Sequence, residues 1–233
     1  MRTIHGKAVC ETIEEVLQPD GCAVLAIDLQ NDFISTDGAM AKRGADVSAM
    51  AGLAPVCADF MDAARELGVR IVHVRLVNLP NGESDSAPWM RFRGLTVDST
   101  DWAVEGTWGA EFVEGCEPYE GELVVTKHRS SAFTGTNLDV LLRACGVKTV
   151  VVIGEQTPGC VEATYRDASY HDYYNVLVED CVMGRDRELH EASILIQKAR
   201  HDVVTAAQAL SIWRRYYDEG RGRASRSGAA EFD

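Results

Sequence analysis

Apolar residues in this chain come in short uninterrupted blocks separated by amphipathic stretches. The blocks are CAVLAI at 22–27, VRIVHVRLV at 69–77, GELVVTK at 121–127, KTVVVIG at 148–154, YYNVLVED at 173–180 and DVV at 202–204. Continuous apolar runs of this length suit strands covered on both faces, as in a parallel sheet. Between them, residues 46–67, 136–146, 160–172, 187–200 and the stretch after 204 carry helical spacing, with Gly68 and Gly146 as stops. Strand and helix alternate about six times, and right-handed crossovers turn that alternation into a doubly wound architecture. The expected fold class is therefore α/β: a doubly wound, mainly parallel six-stranded sheet with helices on both faces. One domain over residues 1–219 is expected. Residues 78–121 lose periodicity and hold Trp89, Trp102 and Trp108. A segment this long without regular structure is expected to be a functional rim. Residues 220–233 are rich in Gly, Ser and Arg and are expected to fray.

In an open parallel sheet, sites form beyond the carboxyl ends of the strands. Asp28, Lys127 and Cys160 each stand at or just past such an end, so the topology should bring them together. Their chemistry is complementary. A thiol at a helix start, near an ammonium, is expected to have a lowered pKa. The Asp28 carboxyl can accept the thiol proton and later return it to a leaving amine. Backbone N–H groups around 156–160 could hold an oxyanion. Taken singly, each residue also has a structural reading: Cys160 as a buried small side chain, Asp28 as a turn cap, Lys127 as a solvated stem.

Composition narrows the partners. The net charge of -13 argues against nucleic acid, which calls for a basic surface. No apolar run approaches the roughly 18 residues of a membrane span. Acidic residues fall where a signal peptide would have its apolar region. The seven cysteines form no C-x-x-C pair, which fits reduced thiols and a cytoplasmic location. No G-x-G-x-x-G follows the first strand, so a dinucleotide oxidoreductase is disfavoured, and no cofactor is expected.

The blocks AIDLQNDF, VVTKHRSSAFTGTNLDVLLRACGV and GEQTPGCVEATYRDA, in that order, resemble the signature segments of the isochorismatase-like cysteine hydrolases. The similarity runs over about residues 22–210. The resemblance implies an Asp28–Lys127–Cys160 triad. It also implies a non-proline cis peptide at Glu155–Gln156, and an oxyanion hole from the backbone N–H groups of Gln156 and Cys160. A thioester route follows, with assembly as a homodimer or homotetramer.

Within that family, a nucleophilic cysteine separates this chain from the vinyl-ether hydrolases. His73 stands alone in its strand, without the Asp/His/His set of the nicotinamidases, so no catalytic metal is expected. The TPGCVEAT block is most similar to the N-carbamoylsarcosine, maleamate and ureidoacrylate amidohydrolases. That resemblance implies a small linear amide or ureido substrate bearing a carboxylate, cleaved at a C–N bond. An arginine after the nucleophile helix should hold the carboxylate; the spacing falls on Arg185, with Arg187 as the neighbouring option. Phe33, Thr157 and Trp89 are further candidate substrate contacts, and Trp89 could equally pack between subunits. His128 could line the pocket or its rim. A catalytically inactive binding protein of the same fold, or a nicotinamidase-type amidase, is the alternative.

Overall fold

The computed structural model describes residues 1–92 and 101–227, with side chains as far as residue 220. The chain opens with a hairpin, β1 (Arg2–Ile4) and β2 (Lys7–Val9), and a single turn of helix, α1 (Ile13–Val16). The main sheet begins at β3 (Cys22–Ile27). Three helices follow, α2 (Asn31–Ile34), α3 (Ala39–Lys42) and α4 (Ser48–Glu66), and then β4 (Arg70–Leu76). A short helix α5 (Ala87–Phe92) lies in the long connection to β5 (Leu123–Lys127). Regular alternation then resumes with α6 (Leu138–Ala144), β6 (Thr149–Glu155), α7 (Glu162–Tyr170) and β7 (Tyr174–Met183). The chain continues through α8 (Arg187–Lys198), β8 (Asp202–Val204) and α9 (Ala206–Ser227).

The six strands of the main sheet run β5-β4-β3-β6-β7-β8, every pair parallel. The doubly wound six-stranded sheet read from the apolar blocks is therefore the observed one. Alternate residues of each strand feed two separate cores. Cys22, Val24 and Ala26 of β3 pack with Val151 and Ile153 of β6 against α4 and α9. Ala23, Leu25 and Ile27 pack with Val150 and Val152 against α6 and α7. That two-sided burial is why these runs are apolar at every position instead of every second one.

Three local differences from the sequence reading have simple causes. The hairpin and helices α1 to α3 span only three or four residues each, too few for a period to show. The helix expected from about residue 160 starts at Glu162, because a wide five-residue turn, Thr157–Val161, comes first. The last helix continues through Ser227, past Gly220; residues 228–233 lie outside the described residues, as does 93–100 within the irregular segment.

The connections fix where a site can form. From β3 the chain moves outward to β4 and β5, then returns across β3 to β6 and proceeds the other way. The loops leaving β3 and β6 therefore diverge, and a crevice opens between them. Here β6 approaches β3 very closely. Gly154 has φ of 110°, and a Cβ placed there would lie 2.1 Å from the carbonyl oxygen of Ile27. Only glycine satisfies both the backbone angle and the contact. Gly154→Ala is expected to destabilise the fold by about 2–4 kcal/mol, measured by denaturant titration. An unchanged midpoint would show that this approach is not tight in solution.

Candidate active site

Each side chain reaches the crevice by a local device. Asp28 follows the last residue of β3 with φ of 53°, a left-handed conformation that Asp tolerates better than most residues and that turns its carboxyl out of the sheet. Its N–H donates to the Val74 carbonyl at 2.8 Å. Buried Gln30 ties the same corner down. Its Oε1 accepts from the Leu76 N–H at 2.8 Å, and its Nε2 donates to the carbonyls of Leu76 and Ala110, each at 2.9 Å. Asp32 holds the following turn, accepting from the N–H groups of Ala39 at 2.9 Å and Ala103 at 2.6 Å. Asp32 thereby fixes this turn.

Lys127 is the last residue of β5, two strands away, and its full length is spent reaching back beneath β4. Its Nζ donates to Asp28 Oδ2 at 2.8 Å and to the Arg129 carbonyl at 3.2 Å. The ammonium and carboxylate side chains are 0% and 1% exposed. Cys160 lies in the turn after β6 and faces this pair, which supplies the strongest charges acting on its thiol. The Glu155–Gln156 peptide before that turn is cis.

Burial governs the electrostatics. Desolvation pushes the Cys160 thiol up to about 12; Lys127 opposes the rise, while Asp28 and Glu155 add to it. Burial likewise raises Asp28 above the usual carboxylate range, more than Lys127 lowers it. Burial alone would lower Lys127, but the attraction of Asp28 and Cys160 outweighs it, and the ammonium is held above its ordinary value. The lowered thiol pKa expected from a helix start is therefore corrected. Cys160 precedes the helix proper, and loss of solvent around sulfur exceeds what the nearby ammonium returns. The balance of these effects favours a neutral thiol beside the Asp28 carboxyl.

A cavity of about 520 Å³ opens over Cys160, bounded by Asp28, Phe33, Gln156 and Arg185. Phe33 packs edge-on against Trp102, with ring centroids 5.3 Å apart, and both rings form the apolar wall. Of the two expected arginines, Arg185 reaches the cavity; the side chain of Arg187 is 90% exposed and pairs with Glu191 on α8. Trp89 stands in an adjoining groove instead, stacked on Phe92 and under the Arg129 guanidinium. Thr157 faces away, its Oγ1 bonded to His190 Nδ1 at 2.9 Å. His128 meets the Val77 carbonyl through Nδ1, and His73 is buried against Glu122 and Arg65. Among the described residues, no group of three or more His, Cys, Asp or Glu could hold a metal ion.

Five cavity residues escaped the sequence reading as side chains: Met40 and Arg43 from α3 and the residue after it, Leu76 at the end of β4, Ser130, and Glu155. For Met40 and Arg43 the chain offers no periodic cue. For Glu155 the cue is an acid ending a fully buried strand.

A doubly wound α/β sheet that gathers a thiol, a carboxylate and an ammonium at its switch point defines an enzyme-type small-molecule site. Residues 22–209 match the Isochorismatase domain family, and the chain belongs to it. It is 35% identical over 189 residues to maleamate amidohydrolase of Pseudomonas putida, covering 81% of this chain and 84% of that one. It is 30% identical over 174 residues to ureidoacrylate amidohydrolase of Agrobacterium fabrum, covering 70% and 76%. The structure of N-carbamoylsarcosine amidase from Thermoplasma acidophilum superposes with a TM-score of 0.62 at 30% identity, over 79% of this chain and 96% of the other.

The buried pair carries a stability prediction. Lys127→Met leaves the Asp28 charge without its partner and should cost about 3–5 kcal/mol. Cys160→Ala, which removes a neutral thiol, should cost no more than about 1.5 kcal/mol. Denaturant titration of both variants checks the contrast; equal losses would contradict a buried ion pair.

Proposed function

We propose that the chain is a cysteine hydrolase that cleaves the C–N bond of a small linear amide or ureido compound bearing a carboxylate. The observation that carries this reading is the convergence of Asp28, Lys127 and Cys160 beneath one cavity, with the 2.8 Å buried ion pair facing the thiol. The relatives support the substrate class, since their names specify maleamate, ureidoacrylate and N-carbamoylsarcosine.

The geometry suggests the order of events. Asp28 takes the proton of Cys160 as sulfur forms its bond to the substrate carbonyl carbon, so a free thiolate need not accumulate. The N–H groups of Gln156 and Cys160 receive the oxyanion. Collapse breaks the C–N bond, and the departing nitrogen leaves with the proton held by Asp28. Water then attacks the thioester, giving a proton to Asp28, which returns it to sulfur as the acid product forms. Lys127 stays protonated throughout and balances the charge passed between carboxyl, sulfur and oxyanion. Phe33 and Trp102 flank the planar substrate, and Arg185 holds its carboxylate. No metal takes part. All seven cysteines are free thiols, in keeping with work in the cytoplasm. Exposed Leu189, Leu195 and Ile196 on α8 support assembly into a dimer or tetramer.

An ammonia-release screen over maleamate, N-carbamoyl amino acids, ureidoacrylate, biuret and nicotinamide tests the assignment. Turnover is expected for at least one carboxylate-bearing amide, and Cys160→Ala should lower it by at least about 10³-fold. Full activity in Cys160→Ala would dismiss the thioester route. Exhaustive chelation should leave the rate unchanged; a loss restored by added metal would overturn the metal-free mechanism. Because Asp28 must be ionised to act as base and burial raises it, kcat/KM should fall with acid already above the ordinary carboxylate range. An acid limb near pH 4 or below would contradict the buried base.

A further inference from the structure

Among the described residues, Glu155 is the carboxyl in the cavity for which the mechanism gives no task. It ends β6, is 3% exposed, and lines the cavity beside Cys160. Its Oε2 has no hydrogen-bond partner. The nearest cation is Arg185, whose Nη2 lies 3.7 Å away, too far for a hydrogen bond. Arg185 is equally unsatisfied. Its Nε is buried without a partner, and its Nη1 meets only the sulfur of Met40 at 3.3 Å. A structural pair would close into a two-pronged contact at about 2.8 Å. Glu155 Oε2 and Arg185 Nε are thus both buried and unpartnered in the wall of the same cavity.

The charges around that space decide what can fill it. Arg185 follows β7 and Arg43 follows α3, and both reach the cavity. Asp28 and Lys127 act on Glu155 from the ends of β3 and β5, and Cys160 from the turn after β6. Lys127 is already committed to Asp28. A substrate carboxylate arriving at Arg185 would meet two further carboxylates, Asp28 and Glu155, if both were charged. That repulsion is removed when Glu155 is neutral, and its O–H can then donate to the arriving anion.

We propose that Glu155 is a specificity-determining residue: as a neutral acid it shares the substrate carboxylate with Arg185, and as an anion it occupies Arg185 itself and excludes that substrate. This rests on the reading that the substrate bears a carboxylate. Binding of the anionic substrate is thereby linked to one proton on the enzyme. Burial supports the protonated form, holding Glu155 up to about 8 against the pull of Arg185. The sign follows: affinity is full below that value and is lost as pH rises through it.

The test uses Cys160→Ala, which binds without turnover, with maleamate and N-carbamoylglycine as probes. Calorimetry in buffers of different ionisation heat, from about pH 6.5 to 9.5, reads both affinity and proton uptake. The Kd is expected to rise about tenfold per pH unit above the Glu155 transition, with proton uptake on binding near it. Cys160→Ala with Glu155→Gln, which fixes a neutral side chain of the same shape, should bind with a flat pH profile and no proton uptake over that range. Protonation of Asp28 at the acid end affects both proteins alike. Binding that is independent of pH in Cys160→Ala, or a pH dependence that persists in the glutamine variant, overturns the inference while leaving the carboxylate site standing. Failure of both probes to bind at about pH 6.5 overturns the carboxylate reading and this inference with it. The profile of Cys160→Ala alone decides the matter if the glutamine variant does not fold.

Discussion

The contact between Lys127 Nζ and Asp28 Oδ2, sealed from solvent at the carboxyl end of the sheet, is the constraint on which the rest of the site depends. Two charges withdrawn from water attract strongly, but each has lost its hydration, and neither can be removed without stranding the other. The pair joins strands that are not neighbours, with β4 between them. It thereby sets the floor of the cavity and fixes the charge that Cys160 faces. A sulfur in this position sees a base that burial makes more basic and a cation that never leaves. In the proposed mechanism, proton transfer to Asp28 and sulfur attack then occur together, so the protein need not store a thiolate.

Much of this was legible in the chain. Apolar blocks buried on both faces are hard to place anywhere except in a covered parallel sheet, and crossover handedness makes that sheet doubly wound. Asp28, Lys127 and Cys160 were legible for the same reason: each is a reactive residue at the point where an apolar run stops. Arg185 was placed by resemblance, and the structure puts it, and not Arg187, in the cavity.

What escaped the sequence depends on distances that no spacing encodes. Nearness to a helix start and a lysine suggests a lowered thiol pKa for Cys160, whereas the larger effect is its loss of solvent. Trp89 and Thr157 sit in segments close to the site in sequence, yet one packs in the adjoining groove and the other toward α8. Glu155 was hidden by its neighbours, because an acid after six buried residues looks like the end of a strand. Its carboxyl bends into the cavity because Gly154 lets β6 turn against β3 at that point. The backbone device and the chemical group are thus one feature.

The account turns on where the proton of Cys160 resides before substrate arrives. Thiolate absorbance near about 240 nm, taken as wild type minus Cys160→Ala and followed with pH, reads that proton directly. The buried Asp28–Lys127 pair predicts no thiolate step between about pH 6 and 9, with ionisation only at strongly alkaline pH. A full step near neutrality would contradict it, because sulfur would then have surrendered its proton to solvent without the carboxylate's help.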